Sequence, residues 1–227
     1  MVRAVAFDFD GVLVESVDVK TRAFARLFEP EGPEAVARIV DYHLRHGGVP
    51  RFDKFRTIYR DILRRPLPDA EFDRLCRTFA GYVVEAVVAA PWVAGAQEFL
   101  ARQQGRYRFF IISGTPEGEL RMIVERRGMA RWFEEVLGSP ATKEQLLEGL
   151  LARHRLQPGD VACVGDSSTD WAAAQRLRLP FVWRRSGEET PIPDDFRGPC
   201  ITDLTELDGW LAALETCGTS AAFGVRG

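Results

Sequence analysis

The run Ala4-Val5-Ala6-Phe7-Asp8-Phe9-Asp10-Gly11-Val12 sets two carboxylates one residue apart at the end of an apolar strand. A strand this apolar belongs in the interior of a parallel sheet, covered on both faces, and folding alone asks for no acids at its tip. Positions i and i+2 of a strand point the same way, so Asp8 and Asp10 are expected on one side of the strand's exit, with Gly11 allowing a sharp turn beside them. Asp before Gly also closes ordinary turns. Two like charges at that spacing are tolerable where a divalent cation or a bound proton takes up the charge, which is the composition of a metal-assisted acid/base site.

The 227 residues suit one large α/β domain or a domain with an insert, and 46% apolar residues supply a full core. The net charge of −3, with both signs dispersed, gives no basic stripe and argues against a nucleic-acid partner. No apolar stretch is long enough to span a bilayer, and Met1-Val2-Arg3 leads straight into the first strand, so a cytoplasmic protein without a membrane partner is expected. Cys76, Cys163, Cys200 and Cys217 lack C-x-x-C spacing and read as ordinary reduced thiols. Of the 30 basic residues only Lys20, Lys54 and Lys143 are lysines, and a chain that otherwise uses arginine keeps lysine where a compact ammonium on a flexible stem is needed.

Two kinds of segment follow the first strand. Val17 to Phe28, Pro33 to His46, Phe52 to Leu63 and Asp69 to Val88 carry apolar residues at helical spacing, punctuated by Pro and Gly. From Trp92 onward helices alternate with short apolar strands: Arg108 to Ser113, Glu135 to Gly138, Asp160 to Gly165 and Pro180 to Trp183. That alternation predicts an α/β fold, a Rossmann-like parallel sheet with helices on both faces. Residues 1–15 and 91–217 are expected to form a discontinuous core domain, residues 16–90 an all-helical domain inserted after strand one, and residues 218–227 a loose tail.

Ligands of open parallel sheets bind outside the carboxyl ends of the strands, and chemistry-bearing residues collect there in this sequence. The second strand ends in Ser113-Gly114-Thr115-Pro116, a hydroxyl and a glycine turn before a helix whose free N–H groups favour an anion. Lys143 stands at the start of the helix Lys143 to Arg153, where a cation opposes the helix dipole, so its placement points to another use. The fourth strand ends in Gly165-Asp166-Ser167-Ser168-Thr169-Asp170, a second pair of acids. Each has an ordinary structural reading as turn residue, surface lysine or helix cap. Their joint occurrence at the strand ends of one sheet favours a site.

The chain resembles the haloacid dehalogenase superfamily hydrolases with a helical cap, of the phosphoglycolate phosphatase and β-phosphoglucomutase type. The similarity runs from Val5 to about Leu214. Phe7 to Leu13 matches the first superfamily motif, Ile112-Ser113-Gly114 the second, Lys143 the third and Gly165 to Asp170 the fourth. The resemblance implies a phosphoric monoester hydrolase acting on a small phosphate ester. Asp8 would be the nucleophile that forms an aspartyl-phosphate, and Asp10 the general acid/base, its pKa raised by neighbouring carboxylates. Mg²⁺ would be held by Asp8, the backbone carbonyl of Asp10, Asp166 and waters, with Asp170 as an alternative ligand or as a support behind the ligands. Ser113, the N–H of Gly114 and Lys143 would hold the phosphoryl oxygens, and Lys143 would keep Asp8 ionised. Asp10 favours a phosphate ester, because the resembled dehalogenases and phosphonoacetaldehyde hydrolases lack an acid there.

Within that family a sugar phosphomutase is the alternative. The similar mutases carry His at the place of Lys20 and usually Glu-Asp where Gly165-Asp166 stands, yet Gly48-Val49-Pro50-Arg51 resembles their cap loop. Arg51 would supply a bidentate fork and Lys54 a point charge to the substrate, with Lys20 a further binding candidate. A catalytically inactive phosphate-binding relative is a second alternative, against which intact Asp8, Asp10, Lys143 and Asp166 count. A monomer or a homodimer is expected.

Overall fold

The computed structural model describes residues 1–185 and 192–217. The strands among the described residues are β1 (Ala4–Phe7), β2 (Arg108–Pro116), β3 (Glu135–Ser139), β4 (Val161–Gly165), β5 (Phe181–Arg184) and β6 (Cys200–Ile201). They form one all-parallel sheet in the order β3-β2-β1-β4-β5-β6. Strand order reverses beside β1, whose register sets Phe7 against Ile111 on one side and Val164 on the other. That is where an open parallel sheet presents its crevice.

Alternation along the strands sorts side chains into two cores. Val5, Phe7, Phe109, Ile111, Ala162, Val164 and Val182 pack on the face covered by α5 (Ala96–Gln103), α6 (Glu117–Arg126) and α9 (Leu207–Cys217). Ala4, Ala6, Phe110, Ile112, Val161, Cys163 and Trp183 pack on the other, against α7 (Lys143–His154) and α8 (Ser168–Leu177). Helices therefore cover both faces, as the alternation predicts.

Between β1 and β2 lie α1 (Val17–Leu27), α2 (Pro33–Arg45), α3 (Arg51–Thr57) and α4 (Asp69–Ala89), within a residue or two of the predicted bounds except at the third. There α3 starts one residue earlier and passes at Ile58–Ile62 into a π-helical turn. Their apolar faces close on an aromatic cluster, with Phe24 4.8 Å from Phe79 and 5.7 Å from Phe55 between ring centroids. The helical stretch ends where Arg127 Nη1 donates to the carbonyl oxygens of Val87, Val88 and Ala90 at 2.7–2.8 Å. A helix leaves its last carbonyls without partners, and this guanidinium supplies them while joining α4 to the end of α6.

Sequence reading missed the two-residue β6 and the helix α5. The expected turn at Ser113-Gly114 is strand instead: β2 continues to Pro116, with its pairing to β3 irregular between Ile112 and Pro116. The expected loose tail at 218–227 lies outside the described residues. No helix among the described residues is long and apolar enough to cross a membrane.

Phe99 on α5 is fully buried, its ring 6.1 Å from that of Phe7 and 5.9 Å from that of Phe109. Phe99→Ala should lower the free energy of unfolding by about 3–5 kcal/mol through the cavity it leaves. Urea denaturation measures this. A loss below 1 kcal/mol would mean that the α5 face is not part of the load-carrying core.

Candidate active site

The predicted residues from β1, β2, β4 and α7 meet at the carboxyl edge of the sheet. Asp8 follows β1 directly, with its N–H bonded to the Val164 carbonyl at 2.9 Å. Lys143 occupies the first position of α7, a helix already satisfied by a capping box between Thr142 and Gln145, so the lysine is free to reach inward. Its Nζ donates to Asp8 Oδ2 at 2.8 Å and to Asp170 Oδ1, and all three side chains are buried. This is the use that its place against the helix dipole implied.

Oxygens of Asp8, Asp166 and Asp170 lie within 4.8 Å of one another. Gly165 makes this convergence possible: a Cβ there would stand 2.3 Å from the Cβ of Asp170. Asp170 is further fixed by Ser167, the N-cap of α8, whose hydroxyl donates to Asp170 Oδ2. The three carboxylates and one ammonium leave two formal negative charges in a buried, all-oxygen cluster, a donor set that fits a hard divalent cation. The same crowding corrects one expectation. Burial, then the charges of Asp170 and Asp166, raise the Asp8 carboxyl well above its ordinary value despite the downward pull of Lys143. The downward pull of Lys143 on Asp8 is thus outweighed by burial and the neighbouring acids.

Asp10 lies beyond the end of β1 and turns to different partners. Its Oδ1 accepts from Ser16 Oγ at 2.6 Å, and its Oδ2 accepts from Lys20 Nζ and from Thr115 Oγ1 at 3.1 Å. Lys20 Nζ also donates to Thr115 Oγ1 at 2.8 Å. Burial pushes the Asp10 carboxyl up, but Lys20 and the three hydrogen bonds outweigh it and leave it below the ordinary value. The expectation of a pKa raised by neighbouring carboxylates is therefore wrong, because the acids face Lys143 and the side chain of Asp10 faces a cation of its own.

Asp8, Asp10, Asp166, Ser113 and Gly114 line one pocket with Lys20, Arg51 and Lys54 from the helical stretch. The loop between α2 and α3 closes over this edge. Thr169 Oγ1 donates to the Gly47 carbonyl at 3.1 Å, and a Cβ on Gly114 would stand 2.3 Å from the Gly48 carbonyl oxygen. Gly48 itself has φ +74°, and a Cβ there would meet Thr169 Oγ1 at 2.0 Å and Lys143 Nζ at 3.0 Å. Only glycine admits this approach.

Arg51 is placed in the pocket as predicted, but its fork is engaged: it donates to both carboxylate oxygens of Glu119 at 3.0 and 2.7 Å. Lys54 is buried, with Nζ 2.9 Å from His43 Nδ1. Sequence reading assigned no role to Ser16, His43, Thr115, Glu119 or Ser167. Ser167 carried a signal, as a hydroxyl three residues before an acid at a strand-to-helix turn. The others are joined to the site through contacts that no local pattern encodes.

The model of haloacid dehalogenase-like hydrolases matches residues 5–183. The chain belongs to that family. It is 26% identical over 223 residues to the phosphoglycolate phosphatase of Rhodospirillum rubrum, covering 93% of this chain and 91% of that protein. It is 29% identical over 184 residues to the phosphoglycolate phosphatase of Synechococcus elongatus, covering 79% and 82%. A crystal structure of a predicted phosphoglycolate phosphatase from Haemophilus somnus superposes with a TM-score of 0.73 at 19% identity, covering 92% of this chain and 98% of that one. The superfamily that the four motifs resemble is thus the one found, and with it the class, a phosphoric monoester hydrolase.

The contrast between the two N-terminal acids gives a pH-dependent expectation. A carboxyl depressed in the folded state contributes stability above its unfolded pKa, near 4, and loses it as pH falls through the folded value. Lys20→Met should therefore cost about 3 kcal/mol at pH 7, and the difference from the parent should narrow as the pH is lowered to about 3. Chemical denaturation at both pH values checks this. An equal difference at both would assign the loss to the packing of the lysine stem.

Proposed function

We propose that the protein hydrolyses a small phosphate monoester through an aspartyl-phosphate on Asp8, with Asp10 as general acid/base. The observation that carries this reading is the division of labour between two acids separated by one residue. Asp8 sits among the acids with Lys143, whereas Asp10 is held apart by Lys20, Thr115 and Ser16, and both line the same pocket. Pairs of titratable groups with opposed environments are the usual mark of split acid and nucleophile roles.

A carboxylate oxygen of Asp8 attacks phosphorus, and the bond from phosphorus to the ester oxygen breaks. Asp10 gives its proton to the departing alkoxide. Water then attacks phosphorus, Asp10 takes the proton of that water, and the bond to Asp8 breaks to release phosphate. Asp10 is a carboxylate in the resting protein, which suits it for the second step. For the first, an arriving phosphoryl group brings negative charge beside it and raises its pKa, so that the proton is taken up with substrate. Ser113, the Gly114 N–H and Lys143 would hold the phosphoryl oxygens. Asp8, Asp166 and Asp170, with the Asp10 carbonyl, would hold Mg²⁺, which when bound supplies charge neutralisation for the phosphoryl oxygens and for Asp8.

In this reading residues 16–90 are a cap over a core of residues 1–15 and 91–217, and the Gly47-Gly48 loop is the part that closes. The pocket encloses a cavity of about 90 Å³. That supports a substrate with few heavy atoms beyond the phosphoryl group and counts against the phosphomutase alternative. The name shared by the sequence relatives makes phosphoglycolate the first ester to try.

Purified protein with Mg²⁺ should release phosphate from p-nitrophenyl phosphate, lose the activity in EDTA and regain it when Mg²⁺ is restored. Asp8→Asn should abolish turnover and the phosphoenzyme together, and Asp10→Asn should slow turnover by about 10²–10⁴-fold. A folded Asp8→Asn protein that turns over at the parent rate would remove covalent catalysis by Asp8.

A further inference from the structure

Three cations of the helical stretch line the pocket, and two of them are matched by carboxylates: Lys20 by Asp10 and Arg51 by Glu119. Lys54 has no carboxylate partner among the described residues. Its side chain is buried at 3% exposure; among the described residues Nζ hydrogen-bonds His43, at 2.9 Å from Nδ1 and 3.2 Å from the backbone oxygen, and stands 5.7 Å from the centroid of the Phe24 ring. The second contact has a structural reason, since His43 lies in the last turn of α2, where carbonyls lack helical partners. An ammonium has three donors, so one remains without a hydrogen-bond partner among the described residues, on a side chain that lines the pocket. His43 is itself fixed, buried with its ring stacked on Phe24 at 4.4 Å between centroids. Phe24, Phe79, Val17, Leu44 and Val49 make the remaining wall at this end largely apolar. A buried cation is expensive without a counter-charge, and among the described residues no carboxylate stands within ion-pair distance of Lys54, Asp10 and Asp166 acting on it only from farther off.

We propose that Lys54, backed by His43, receives a carboxylate carried by the alcohol half of the substrate, so that the enzyme selects phosphate monoesters of small hydroxy acids over those of neutral alcohols. This rests on the phosphatase reading and names what the helical stretch recognises. One unspent donor and a small chamber fit a planar carboxylate better than a second phosphoryl group. The arrangement also links recognition to pH. Burial, reinforced by the charges of Lys20 and Lys143 and opposed by Asp10 and Asp166, brings the Lys54 amine down to about 7. Burial and the Lys54 and Lys20 charges hold His43 neutral well below its ordinary value, and the Arg51–Glu119 pair on the same pocket wall cancels itself. Below pH 7 the ammonium is present to meet the carboxylate; above it, binding must first bring a proton to Lys54, and affinity falls.

The test is the ratio of kcat/KM for phosphoglycolate to that for 2-hydroxyethyl phosphate, two esters that differ by a carboxylate against a hydroxymethyl group. At pH 6.5 the parent ratio should be about 10–150, the effect of a charged hydrogen bond, and it should fall at least fivefold by pH 8.5, carried by KM. In Lys54→Met the ratio should collapse toward one and lose its pH dependence, and Lys54→Arg should restore part of it without the fall near pH 7. The parent's own pH profile needs no variant and stands if Lys54→Met does not fold. A parent ratio near one, a ratio unchanged in Lys54→Met, or faster hydrolysis of the bisphosphate of ethane-1,2-diol than of phosphoglycolate would overturn the proposal. Absence of hydrolysis of every ester, p-nitrophenyl phosphate included, would instead sink the phosphatase reading beneath it.

Discussion

The arrangement of the sheet's carboxyl edge depends on one buried ammonium. Lys143 is desolvated, which works against its charge, yet Asp170 and Asp8 outweigh that and raise its pKa above the ordinary value. The ion pair spans the ends of three chain segments: Asp8 after β1, Lys143 at the head of α7 and Asp170 in the first turn of α8. Other local choices serve it. Thr142 and Gln145 cap α7 so that Lys143 need not, Gly165 leaves the space that Asp170 fills, and Ser167 pins the Asp170 carboxylate. Removing the lysine would leave three buried carboxylates without the cation that Asp8 and Asp170 bond, at a cost of about 3–5 kcal/mol.

Neighbouring acids reach opposite electrostatic states because the chain parts between them. β1 stops at Phe7, so Asp8 still answers to the sheet while Asp10 has entered the turn that leads to α1. Lys20 from α1 and Thr115 from the extended β2 then meet at Asp10 Oδ2. One acid is thus tuned by the strands and the other largely by the helical stretch. A change in how that stretch sits would alter Asp10 before it altered Asp8.

Much of this was legible in the sequence, for identifiable reasons. Strands buried on both faces write themselves as short apolar runs, and the amphipathic helices between β1 and β2 write themselves at three- and four-residue spacing, so their bounds emerged closely. Asp8, Lys143, Asp166 and Asp170 could be singled out because each stands at a strand end or helix start where folding did not require it. Ser113 and Gly114 were found, but their local form was misjudged: Gly suggested a turn, and the backbone uses it to admit the Gly48 carbonyl to an extended strand. What stayed hidden was pairing across the chain. Arg51 and Glu119 are 68 residues apart, and His43 reads as an isolated histidine on a helix. Neither periodicity nor spacing holds information about such partners.

The pairing of pocket charges decides what the helical stretch contributes to recognition. Two of the five N–H donors of Arg51 are closed on Glu119, and its buried Nε has no hydrogen-bond partner among the described residues. The pair with Glu119 ties down the start of α3, and with it the loop whose glycines lie against Thr169, Ser167 and Lys143. That loop leads directly into α3, the short helix that carries Lys54. In the proposed reading, cover over the phosphoryl site and presentation of Lys54 to the pocket both depend on where this helix sits. A ligand long enough to touch both ends gains from it, and one that fills only the phosphoryl end does not.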